Sequence, residues 1–259
     1  MHGFTSNRLD LPDFVRMSRL LEEIGIASVR FDLSGHGESD GDLFDVTITG
    51  ETAETRAVIQ TVRTFDFVDG ERIGLVGMSM GGVVAGIVAA EEPGIGALCL
   101  WSPTAVAPAE IGKGYLKGRS LAAEIEEKGY FDADGHRMSA AHVEDIATLD
   151  VSGRSGRYGG PVHILHGDKD DIAPLEHARR HLEHYDGNAE LQVVESADHG
   201  WGTVPHRTTL HQSRLRFLRR HLGQADGGHA RLEGWDRGAG CGWRRSTATC
   251  LVYGWSMTG

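Results

Sequence analysis

The chain has 259 residues, 40% hydrophobic and 24% charged, enough for one sizeable α/β core with an insertion and short for two full domains. No run approaches the roughly 18 apolar residues of a membrane span, and a net charge of -11 with scattered Lys and Arg repels a phosphate backbone, so both a bilayer-spanning role and a nucleic-acid partner are excluded. Of the cysteines, Cys99 lies in an apolar run while Cys241 and Cys250 sit near the chain's end, which implies no disulfide framework and fits a reducing, cytoplasmic compartment.

Met1 is followed directly by His2, Gly3 and Phe4, without the charged and apolar regions of a secretory leader. From Leu9 to Ile24, Leu11, Phe14, Val15, Leu20, Leu21 and Ile24 recur at helical spacing, and Gly25 is placed to end that helix. Ile26 to Phe31 reads as a short buried strand, followed by a polar loop from Asp32 to Ser39. A helix is predicted over Thr52 to Thr64, a strand over Arg72 to Gly77, a helix over Val83 to Ala90 and a strand over Gly96 to Trp101. Strands at Val162 to His166 and Leu191 to Val194 alternate with helices at Leu175 to Tyr185 and Arg207 to Leu222. This alternation predicts an α/β fold: a mostly parallel sheet covered by helices on both faces.

Two stretches break the rhythm. Ser102 to Gly160 carries an acidic amphipathic segment, Leu121 to Lys128, and a Gly/Ser/Arg-rich exit, Ser152 to Gly160, and reads as a cap inserted between two strands. Ala225 to Gly259, rich in Gly, Trp and Arg, shows neither helical nor strand period. It reads either as out-of-frame translation or as a flexible tail, leaving residues 1 to 224 as the domain.

The chemistry gathers at strand ends. Gly77-Met78-Ser79-Met80-Gly81 is a G-x-S-x-G between a strand and a helix, where small neighbours permit a sharp turn that exposes the serine hydroxyl. A serine hydroxyl is a poor nucleophile at neutral pH, so it needs a base within hydrogen-bond reach and a partner that fixes the base's tautomer. Asp170, in His166-Gly167-Asp168-Lys169-Asp170, and His199, in Ala197-Asp198-His199-Gly200, each follow a strand and complete the order Ser, Asp, His. Asp168 and Asp171 compete for the acid position on residue type alone. An oxyanion formed by attack needs two donors, for which the Met80 N–H at the helix start and the Phe4 N–H of the early loop are the candidates. No metal or organic cofactor is required.

His177, His181 and His184 share a helix face as metal ligands do, but no Glu follows the first as in H-E-x-x-H, so metal binding is not the reading taken. His163 and His166, three apart on a strand, point to opposite faces and read as packing and turn residues.

Through His2-Gly3-Phe4-Thr5, Arg30-Phe31-Asp32, Gly35-His36-Gly37-Glu38-Ser39, the Ser79 elbow and His166-Gly167-Asp168-Lys169-Asp170, residues 2 to 222 resemble the α/β-hydrolase superfamily and its cinnamoyl and feruloyl esterase-like branch. The resemblance implies an α/β-hydrolase fold with Ser79 as nucleophile, Asp170 as acid, His199 as base, and Phe4 and Met80 around the oxyanion. It implies an ester hydrolase acting on small-molecule aromatic or short-chain acyl esters. Monoacylglycerol or lysophospholipid hydrolysis and peptidase action are alternatives on the same residues. Members of the family carry strands before the H-G-F loop, whereas this chain begins at it, which implies an incomplete sheet with two rows of unpaired backbone groups beside an interior gap. A non-catalytic remnant or binding protein is the corresponding reading from another class.

Overall fold

A computed structural model describes residues 1–9, 11–104, 111–116, 118–223 and 248–252. Helix α1 (Leu11–Glu23) leads into strand β1 (Ile26–Val29), followed by α2 (Ile48–Arg63), β2 (Val68–Met78), α3 (Met80–Glu91) and β3 (Ile95–Trp101). An insertion then carries two small hairpins, β4 (Tyr115–Leu116) with β5 (Arg119–Ser120) and β6 (Phe131–Ala133) with β7 (His136–Met138), and helices α4 (Leu121–Lys128), α5 (Ala140–Thr148) and α6 (Val151–Ser155). The main body resumes with β8 (Val162–Gly167), α7 (Glu176–His184), β9 (Ala189–Val194), α8 (Val204–Leu222) and β10 (Ala248–Val252).

Local chemistry explains most boundaries. The Thr47 hydroxyl accepts the Gly50 N–H and so starts α2 four residues before the predicted Thr52. Likewise Thr203 accepts the His206 N–H, and Pro205 occupies the first turn of α8, ahead of the predicted Arg207. Helix α3 begins directly after Ser79 rather than at Val83, because Gly81 and Gly82, poor helix formers by propensity, are nonetheless helical there. Helix α4 has the bounds of the amphipathic segment, capped by Ser120 and closed by Gly129 at φ +79°.

Six strands form one parallel sheet in the order β1-β10-β2-β3-β8-β9. Its central strand β3 is fully buried from Ala97 to Trp101, as a parallel strand covered on both faces must be. On one face Phe14, Met17 and Leu21 of α1 and Leu210, Phe217 and Leu218 of α8 pack over Val76, Cys99 and Leu165. On the other, Ile59 and Val62 of α2 and Val84 and Ile87 of α3 pack over Leu75, Leu98, Leu100 and Ile164. Each such leucine withdrawn from water contributes about 1.5–3 kcal/mol.

The reading of the C-terminal stretch needs correction. Ala248–Val252, within the stretch read as lacking period, forms the interior strand β10, paired in parallel with Ile26–Val29 on one side and with Val68–Leu75 on the other. The column expected to stand open is therefore filled: β10 covers the first part of β2, and the Met1 carbonyl accepts the Met78 N–H at 3.1 Å further along. The rest of the tail, 224–247 and 253–259, lies outside the described residues. The exit of the insertion packs against the main body. Arg154 of α6 ion-pairs with Glu91 of α3 at 2.7 Å, and the Tyr158 hydroxyl donates to Ile95 O at 3.1 Å. Among the described residues no helix is long and apolar enough to cross a membrane.

Candidate active site

Ser79 stands between β2 and α3 at φ +53°, a left-handed conformation that a non-glycine residue adopts only when its surroundings compel it. The flanking glycines show what compels it. A Cβ on Gly77 would lie 2.2 Å from Gly81 O, and a Cβ on Gly81 would lie 2.2 Å from His2 O, so no larger residue fits either place. Ser79 N–H donates to Trp101 O at 2.9 Å, fixing the turn against the end of β3.

The loop that carries Phe4 lies directly on this turn: a Cβ on Gly3 would be 3.0 Å from Ser79 Cβ. His2 anchors the loop from beneath. Its Nε2 accepts the Leu33 N–H at 3.1 Å and its Nδ1–H donates to Gly3 O at 3.0 Å, while burial pushes the imidazole down to about 4 and keeps it in the neutral form this pattern needs. The buried Asp32 carboxylate accepts Arg8 N–H at 2.6 Å and Glu38 N–H at 3.0 Å and ion-pairs with the Arg8 guanidinium, clamping the same loop to the Gly35–Ser39 turn. From the insertion, the His142 ring sits 5.4 Å from the Phe4 ring and His136 sits 6.3 Å from it. Met80, the first residue of α3, has an N–H with no acceptor inside its own helix.

Asp170 follows β8 and His199 follows β9. His199 Nδ1–H donates to Asp170 Oδ2 at 2.7 Å, which leaves Nε2 as the basic nitrogen. Asp170 Oδ1 accepts the N–H groups of Ile172 at 3.1 Å and Ala173 at 2.7 Å, so the carboxylate also holds its own turn. Burial pushes the Asp170 carboxyl up, but hydrogen bonds from His166 and His199 outweigh it and hold the group below the usual carboxylate range. Asp168 instead accepts the Ser196 N–H at 2.6 Å, pinning the β8 loop to the β9 loop. Among the described residues no hydrogen bond joins Ser79 Oγ to His199.

One neighbour of Asp170 reads from the sequence only as a packing and turn residue. His166 is fully buried, its Nε2–H donates to Ala173 O at 2.6 Å, and the same nitrogen lies 3.3 Å from Asp170 Oδ2. Only its place at the head of the His166-Gly167-Asp168-Lys169-Asp170 run pointed that way. His163, on the opposite face, stacks on Phe217. On α7, His181 Nε2–H donates to Thr104 O at 3.2 Å, and burial pushes this imidazole down to about 4.

Comparison with known proteins gives a consistent set of likenesses. The sequence pattern of the alpha/beta hydrolase family matches residues 1–257. The structure is similar to that of Est1E from Butyrivibrio proteoclasticus, solved with ferulic acid bound, at a TM-score of 0.78 and 30% identity over 86% of this chain and 88% of that one. Rattus norvegicus palmitoyl-protein thioesterase ABHD10, a mitochondrial protein, is 28% identical over 185 residues, 66% of this chain and 58% of that protein. An uncharacterized 31.7 kDa Escherichia coli protein is 32% identical over 111 residues, 42% of this chain and 37% of that protein. The matches to these curated relatives thus span 37% and 58% of their lengths.

Proposed function

The chain belongs to the alpha/beta hydrolase family, and on that premise we propose that it is a serine-dependent carboxylic ester hydrolase working through an acyl-enzyme. The observation that carries the reading is the 2.7 Å His199–Asp170 hydrogen bond on the sheet edge where Ser79 is held at φ +53°. Ser79 Oγ attacks the ester carbonyl carbon while His199 Nε2 takes its proton. The oxyanion is stabilised by the Phe4 and Met80 N–H groups. Collapse breaks the bond to the alcohol oxygen, which leaves with the proton from His199, and water then enters by the same steps to release the acid and regenerate Ser79.

The substrate we favour is an aromatic, hydroxycinnamoyl-type or short acyl ester, supported by the likeness to a ferulate-bound esterase. The rat relative favours a second substrate, a long-chain acyl thioester, for which the steps are the same with a thiol leaving.

Purified wild type and Ser79→Ala are assayed on p-nitrophenyl acetate, a longer p-nitrophenyl ester, methyl ferulate and palmitoyl-CoA, with a thermal melt of each. Wild-type turnover that falls by at least about 10⁴-fold in Ser79→Ala, with melting nearly unchanged, is expected. Full activity in the variant, or no turnover by a well-folded wild type, sinks the proposal and turns to the binding-protein reading.

A further inference from the structure

Ser102 at φ +42° and Trp201 at φ +54° are among the non-glycine residues that, like Ser79, hold left-handed backbone at this sheet edge. Both are fully buried. They are joined to each other and to the nucleophile turn. The peptide unit between Trp101 and Ser102 uses both its groups: its carbonyl accepts Ser79 N–H at 2.9 Å, and its N–H donates to Leu165 O at 2.9 Å. One peptide thus bridges the end of β2, where Ser79 begins, and β8, which leads to Asp170. From the same residue, Ser102 Oγ accepts Trp201 Nε1–H at 3.2 Å. Trp201 lies two residues after His199, and the turn between them closes through Trp201 N–H to Asp198 O at 3.3 Å and Gly202 N–H to Asp198 Oδ1 at 2.8 Å.

A buried indole N–H is stabilised by an acceptor, and Trp201 has one in Ser102 Oγ, whereas the indole N–H of neighbouring Trp101 is buried without a partner among the described residues. The imidazole is held by its bond to Asp170 and carried by the turn from Asp198 to Gly202. We infer that Ser102 and Trp201 are positioning residues. Their hydrogen bond ties the His199 turn to the peptide that holds Ser79, and so sets the imidazole's distance from the hydroxyl and from Asp170. The catalytic consequence rests on the ester-hydrolase reading, whereas the effect on the His199–Asp170 pair does not.

The test uses Trp201→Phe, which keeps an aromatic side chain but loses the donor and part of the indole's volume, Ser102→Ala, which removes the acceptor at little cost in volume, and the double variant. Proton NMR of the full chain reads the far-downfield signal of His199 Nδ1–H on Asp170, assigned by its loss in His199→Gln. In both single variants this signal is expected to broaden or move upfield while the protein still melts cooperatively. For p-nitrophenyl acetate, kcat is expected to fall by up to about 10²-fold with KM within about twofold of wild type. The double variant should be no worse than the worse single one, because both remove the same bond. An unchanged signal in a folded Trp201→Phe or Ser102→Ala protein overturns the inference, as does a wild type without the signal. Should Trp201→Phe not fold, the smaller Ser102→Ala change decides alone. If wild type lacks Ser79-dependent turnover yet the signal responds as described, the ester-hydrolase reading fails and the positioning stands.

Discussion

At Asp170 the two carboxylate oxygens serve different partners: Oδ1 takes the backbone N–H groups of Ile172 and Ala173, and Oδ2 takes His199 and His166. Asp170→Asn can keep the first set of bonds only by turning its NH2 toward His199, which forces the wrong imidazole tautomer. The expected result is a loss of about 10⁴-fold in kcat with a smaller change in melting. Asp168→Asn, at a carboxylate that accepts the Ser196 N–H, is expected to keep most of the activity. Loss of turnover in Asp168→Asn with retention in Asp170→Asn would reverse the assignment. Residue type alone left three aspartates open, because all lie within a few positions of one strand end. Only the fold shows that Asp170 reaches the imidazole while Asp168 reaches a neighbouring backbone. His166 reads as no more than a packing and turn residue for the same reason: its contact with Asp170 exists only once the turn after β8 has closed.

At the scale of elements, the strand–serine–helix unit was legible because its pattern is local. Gly77 is forced by Gly81 O within the same turn, whereas Gly81 is forced by His2 O from the distant N-terminal loop, so the sequence pattern marks both while the reason for the second is tertiary. Strand β10 was not legible. Ala248–Val252 is a short run in a stretch rich in Gly, Trp and Arg, and its partners, Ile26–Val29 and Val68–Leu75, are far away along the chain. Parallel pairing at such separation leaves no periodic trace in the strand itself. Leu251 pairs with Ser28 and with Gly74, so Leu251→Pro removes a ladder donor from an interior strand, and the melting temperature should drop by several degrees. Removal of residues 224–259 should go further and abolish cooperative melting, because the facing groups of β1 and β2 lose their partners. A truncated chain that melts at the full-length temperature would show that β10 contributes nothing to the sheet.

Over the whole molecule, the two faces of the sheet bury histidines as well as hydrocarbon, and this sets the acid limit of stability. Burial pushes His2, His163 and His181 down to about 4. Unfolded histidines titrate near 6.5, so between there and pH 4 the unfolded chain binds more protons than the folded one. Their contribution is fully present above about pH 6.5 and is lost as pH falls toward 4, on the order of 3 kcal/mol for each. Melting curves from pH 7 down to pH 4 should therefore fall steadily, and His163→Gln should flatten part of that slope. A melting temperature that does not change over this range would refute it. The α/β class and the strand-end location of Ser79, Asp170 and His199 were legible in the sequence, because periodicity and the elbow pattern act over a few residues. Only the tertiary structure decided which aspartate meets His199, what fills the column between β1 and β2, and how the Trp101–Ser102 peptide joins the loops. These depend on contacts between residues distant in sequence, whose geometry is set by the closed sheet rather than by any local pattern.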